Sequence, residues 1–133
     1  MILTEKETST LKDLQTQEKT CIEKYTKYSS LAKDPELKDL FDTLKENEQQ
    51  HYNSLKEVLS GSFPTTDVND SSGRDYTPRP TYTSSGDSSD KENDCFLCTD
   101  CIATEKLVSS EYNNNVFVFG SSAARKLLAD IQV

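Results

Sequence analysis

Two stretches of the chain, 87 residues apart (105 − 18), each place a glutamate where a helix should be apolar, and each follows it with a tyrosine seven positions later. The pairs are Glu18 with Tyr25 and Glu105 with Tyr112. The helix after the first copy carries Glu48-Gln49-Gln50-His51, again on its apolar face. A charge on a buried seam costs several kcal/mol unless it is paired or metal-bound. Inward carboxylates on separate helices, joined by a Glu-x-x-His pair, are how a four-helix bundle builds a two-metal centre.

The spacing of apolar residues supports an all-α fold. A first helix is expected over 5–33, with Leu11, Leu14, Glu18, Cys21, Ile22, Tyr25, Tyr28 and Ala32 on one stripe. Asp34-Pro35-Glu36 reads as a stop and restart: Asp34 caps the next helix, proline suits its first position, and Glu36 complements the positive end of its dipole. The second helix, 35–60, keeps Leu37, Phe41, Leu44, Glu48, His51, Leu55 and Val58 in alternating steps of four and three, and Gly61 ends it. Glu48 and His51 are the polar members of that seam.

Residues 61–94 change character. Ser, Thr, Asp, Asn, Gly and Pro dominate, and such a segment buries too little surface to offset its ordering entropy. A disordered crossover is therefore expected between a helical hairpin (1–60) and a second helical pair (95–133), the three forming one bundle. Its 34 residues reach roughly 100 Å when extended, against about 39 Å for the second helix. The crossover can thus return the chain to the far end and leave helices two and three parallel.

The third helix is expected to start near Asp94, with Cys98, Cys101, Ile102, Glu105, Val108 and Tyr112 inward. Val116-Phe117-Val118-Phe119 suits a strand by propensity, while the repeat aligns it with a helix. A last short helix over 123–132 turns Ala124, Leu127, Leu128 and Ile131 inward. Shifted by 87, Glu48 and His51 fall at 135 and 138, past Val133. The expectation is therefore four of the six ligands of such a centre, and a fourth helix too short to be stable alone. A second copy or a partner chain would then complete the packing.

Glu18, Glu48, His51 and Glu105 are the candidate metal ligands. Carboxylate oxygens with one imidazole suit iron or manganese. Each taken singly is more often a core-facing carboxylate that snorkels or pairs; their convergence favours a site. Cys95, Cys98 and Cys101 lack the fourth partner of a structural zinc site or a cubane cluster, and read as small buried or rim thiols or, in an oxidising assembly, as intermolecular disulfide partners. Tyr76 and Tyr82 read as loop residues.

A net charge of −8 excludes nucleic-acid binding, which demands basic patches. No run approaches the roughly 18 apolar residues of a membrane span, and the N-terminus lacks the layout of a secretory signal. Synthesis in the cytosol is expected.

Glu18-Lys19-Thr20-Cys21-Ile22-Glu23-Lys24-Tyr25, then Ala32-Lys33-Asp34-Pro35-Glu36-Leu37-Lys38-Asp39-Leu40-Phe41 and Glu48-Gln49-Gln50-His51, resemble the first half of coat F-type spore coat proteins. Leu97-Cys98-Thr99-Asp100, Ala103-Thr104-Glu105-Lys106 and Val108-Ser109-Ser110-Glu111-Tyr112-Asn113 resemble the second half. The resemblance implies a ferritin-like four-helix bundle deposited in the coat of bacterial endospores, with other coat proteins as partners. A more distant similarity to rubrerythrin-type bundles uses the same Glu, Tyr and Glu-x-x-His layout. Both families continue into a second Glu-x-x-His. The first expectation is thus a non-enzymatic structural or assembly protein of the spore coat. The alternative is a di-iron or di-manganese redox protein acting on peroxide or dioxygen.

Overall fold

A computed structural model describes residues 3–62, 79, 82, 89–120 and 122–132. Among these residues four α-helices follow one another: α1 (Glu5–Leu31), α2 (Pro35–Leu59), α3 (Ser89–Asn115) and α4 (Ser122–Gln132), with a 3-10 turn at Val116–Val118 between the last two. Among the described residues there is no strand, and no helix is long and apolar enough to cross a membrane.

Local chemistry sets the boundaries. Thr4 Oγ1 accepts from the Glu7 amide, and Glu7 Oε1 accepts from the Thr4 amide, both at 3.1 Å. This reciprocal cap satisfies two amides that the first helical turn leaves unpaired. Proline at 35 forces Asp34 into extended backbone (φ −77°, ψ 125°), from which its carboxylate accepts the Glu36 amide at 3.3 Å. Gly61 closes α2 at φ 100°, a conformation that favours glycine.

Two boundaries differ from the sequence expectation. α3 begins at Ser89, not near Asp94, because Asp90 and Glu92 occupy a first turn where acidic side chains complement the dipole. Polarity here marks a helix start, not a loop. The stretch aligned by the repeat with a helix forms only the 3-10 turn, and Phe119 is then extended (φ −91°, ψ 135°) and buried. The expected disorder of 61–94 falls largely on 63–78, 80–81 and 83–88, which lie outside the described residues.

The α1–α2 turn makes those two helices antiparallel neighbours. Contacts of α3 with α1 and the turn after it pair rising with falling numbers: Glu18 with Tyr112, Lys24 with Thr104, Tyr28 with Asp100 and, in the turn, Lys33 with Asp94. α3 is therefore antiparallel to α1 and parallel to α2, the direction that a long crossover permits.

The core has two lobes. One draws on all four helices, through Leu11 and Leu14, Leu55 and Val58, Tyr112, and then Ala124, Leu127, Leu128 and Ile131 of α4. The other, among the described residues, draws on three: Cys21, Tyr25 and Ala32 from the α1 side, Leu37 and Phe41 from α2, Leu97 and Cys101 from α3. With 11 residues, α4 spans about 16 Å and reaches one lobe only. The inward face of α3 also differs from the expected one: Leu97 is buried, whereas Ile102 is 57% exposed. The observed stripe runs Asp94, Leu97, Cys101, Val108, Tyr112, which carries position 102 round to the flank.

A candidate metal centre

Between the two lobes, α1 and α2 bring three ionisable side chains together out of water. Glu18 is wholly buried, and Glu48 and His51 are nearly so. Glu48 and His51 stand three apart on α2, so both point to one side of the helix. His51 Nδ1 lies 3.3 Å from Glu48 Oε2 and 3.8 Å from Glu18 Oε2. One ligand atom from each of the three falls within 4.8 Å of the others.

Glu105, on α3, is half-buried and outside that tight group, yet it lines the same small cavity as Glu18, Glu48 and His51. The cavity, about 30 Å³, is closed by Tyr112 and by Ile131 and Gln132 of α4. That is room for a water-sized occupant. All four sequence candidates therefore border one space, three of them in mutual reach.

The tyrosines cross over. Tyr112 donates to Glu18 Oε1 at 2.6 Å, and Tyr25 donates to Glu105 Oε1. A tyrosine seven residues from its own glutamate sits about 10 Å further along the axis. It therefore meets the glutamate of the antiparallel helix instead. The sequence showed the spacing of these pairs but not the exchange of partners.

Burial and the neighbouring carboxylates shift Glu48, Glu105, His51 and Tyr112. Burial raises Glu48, with Glu18 adding to the effect and His51 opposing it. Glu105 is pushed up to about 7, first by burial and then by Glu48. Burial works to lower His51, but the adjacent Glu18 and Glu48 carboxylates outweigh this and carry it up to about 10. Burial, followed by Glu18, holds Tyr112 far above its ordinary value, so it remains a hydrogen-bond donor.

In the metal-free chain a protonated His51 thus sits between carboxylates. That cation does not satisfy everything. Glu18 Oε2 is buried with no hydrogen-bond partner among the described residues, since 3.8 Å to His51 is too long for one. An orphaned carboxylate oxygen facing an imidazole and a second carboxylate is what a hard-to-borderline cation would satisfy. The residues present fit iron or manganese.

The sequence missed a buried carboxylate outside this site, Asp94. Asp94 accepts the Lys33 and Asp34 amides at 2.9 Å each and the Tyr82 hydroxyl, and so pins the start of α3 to the α1–α2 turn. Only the position of Asp94 three before Leu97 hinted at an inward orientation.

A family model described as rubrerythrin matches residues 5–88, which include Glu18, Glu48 and His51 but not Glu105. No curated protein and no solved structure matches the chain. The match thus falls on the rubrerythrin side of the sequence resemblance, and the coat F-type side is not matched. Since the matched segment spans well over half of the chain and contains both hairpin helices with their inward carboxylates and imidazole, this chain belongs to the rubrerythrin family of ferritin-like proteins.

Proposed function

We propose that the bundle binds iron or manganese through Glu18, Glu48 and His51, with Glu105 as the ligand from α3, and acts as a redox protein on peroxide or dioxygen. The observation that carries this reading is Glu18 Oε2, a buried carboxylate oxygen with no hydrogen-bond partner among the described residues, beside Glu48 and His51. A bound redox metal supplies the electron exchange with the oxidant. The chain's own residues hold and orient: Tyr112 fixes the Glu18 carboxylate, Tyr25 fixes Glu105, and the apolar lobes exclude bulk water. His51 must lose its proton before its ring can coordinate, so binding releases protons.

Metal analysis of chain purified from iron- or manganese-supplemented medium tests the proposal, with Glu48→Ala and His51→Ala as controls. Stoichiometric metal in the parent chain and its loss in both variants is the expected result. Metal-free parent protein under those conditions overturns it.

A structural role in an endospore coat, as a self-associating chain or with other coat proteins, is a second reading. It draws on the coat F-type motifs around Glu18 and Glu105 and on the exposed Phe96, Ile102 and Leu107 of α3, apolar side chains that a partner would cover. Partition of the expressed chain into an insoluble coat fraction supports that role, and a monomer absent from spores removes it.

A further inference from the structure

α3 carries Cys98-Thr99-Asp100-Cys101, and Cys95 repeats the same spacing one turn earlier. The three thiols grade inward: Cys95 is exposed, Cys98 half-buried and Cys101 buried. At the outer end an open cavity of about 300 Å³ is lined by Asp34, Leu37, Asp94, Cys95 and Cys98. At the inner end the Cys101 thiol adjoins the Tyr25 hydroxyl. Tyr25 in turn donates to Glu105, which borders the metal-ligand cavity. One series of thiols and polar groups thus runs from a surface cavity to the carboxylates.

Residues three apart on a helix have α-carbons about 5 Å apart, within the range a disulfide spans. Their β-carbons, about 5–6 Å apart, must close further, which the turn achieves by tightening toward 3-10 geometry, where such side chains eclipse. Burial pushes Cys101 up to about 11 and raises Cys98. Both remain protonated at neutral pH and are poor direct nucleophiles toward an oxidant, which leaves the Tyr25–Glu105 contact as their connection to the centre.

We propose that Cys98 and Cys101 form a reversible dithiol–disulfide pair that supplies the two electrons for peroxide reduction at the carboxylate–imidazole centre and is restored by a low-molecular-weight thiol entering through the Cys95 cavity. The step balances. The two cysteines give up two protons and two electrons and form one S–S bond; the O–O bond of peroxide breaks, and two waters leave. Two molecules of the small thiol then restore the pair. The first attacks Cys98, the sulfur facing the cavity, to give a mixed disulfide, and the second displaces the chain and departs as the oxidised thiol. Asp34 and Asp94 at the cavity favour an uncharged or cationic thiol over an anionic one. The role rests on the proposed peroxide chemistry, which provides its oxidant.

The test uses the full chain, reduced, loaded with iron or manganese, freed of excess thiol and given one equivalent of hydrogen peroxide. Metal content, residual peroxide and disulfide position by peptide mass mapping are read on the same sample. A Cys98–Cys101 bridge is expected, reduced faster by cysteamine than by glutathione, with loss of bridge formation in Tyr25→Phe. Metal bound and peroxide consumed while the thiols stay reduced overturns the pair and leaves the proposed function standing. Absence of metal overturns that function and takes this role with it. A second measurement needs no metal: titration of the apo-chain with cysteamine and cystamine should give a reversible Cys98–Cys101 disulfide, and adducts confined to Cys95 would refute the pairing.

Discussion

Tyr112, from the second half of the repeat, donates a 2.6 Å hydrogen bond to Glu18 of the first half, deep in the bundle. Tyr25 returns the same contact to Glu105. The two copies therefore interlock, each supplying the donor that holds the other's inward carboxylate. Neither half satisfies its own glutamate, so the repeat has meaning only in the assembled bundle.

The interlock has a measurable strength. Removing the Tyr112 hydroxyl leaves neither oxygen of Glu18 hydrogen-bonded, a loss on the order of 1–3 kcal/mol for a buried acceptor. Urea unfolding of metal-free Tyr112→Phe should show that decrease. A bound metal should shrink it, because the cation takes over Glu18.

Keeping ionisable groups in the core costs stability. Replacing buried ion clusters with apolar residues of similar volume is often neutral or stabilising by about 1–4 kcal/mol. The combined variant Glu18→Leu, Glu48→Leu, His51→Leu, made in a Tyr112→Phe background so that no buried hydroxyl loses its acceptor, should therefore be at least as stable as the metal-free parent in denaturant, while binding no metal. A strongly destabilised combined variant would show that the three side chains serve the fold, not a site.

Stability of the apo-chain should fall as pH rises through the site's titrations. His51 is raised from 6.5 to about 10. Its contribution is thus complete below about pH 6.5 and lost as pH climbs toward 10. Glu105 is raised from 4.5 to about 7. Because folding favours its protonated form, that contribution is also present at low pH and lost between those values; Glu48 moves in the same direction. Metal affinity should run the other way, tightening with pH as protons leave. Calorimetry at pH 7 in buffers of different ionisation enthalpy should register proton release, and binding without it would contradict the protonated His51.

Asp94 should matter more than its place beside the crossover suggests. Asp94→Ala strips two backbone amides of their acceptor, a cost of about 1–3 kcal/mol if they stay buried. Hydrogen exchange should speed up at Lys33 and Asp34 before the rest of the core is affected. Unchanged protection there would mean the carboxylate does not pin the turn.

Much of the bundle was legible because helical packing leaves a regular signature. The alternating steps from Leu37 to Val58 on α2, the Asp34-Pro35 restart and the inward set of α4 each follow from side-chain periodicity or backbone stereochemistry, which are local. The face of α3 was less so. Cys98, Ile102 and Leu97 are all apolar enough to be buried, and only the neighbouring helices decide which are. The start of α3 was hidden for a related reason: six polar residues look the same whether they cap a helix or belong to a loop.

The sequence alone determined which helices carry inward charge, at what spacing, and that the chain is a helical bundle, since those properties depend only on residue order and helical pitch. Only the tertiary structure decided that the tyrosines exchange partners and that Glu18, Glu48 and His51 converge while Glu105 stands at the edge. Convergence depends on the relative height and direction of helices distant in the chain. Packing fixes both, and no local pattern encodes them.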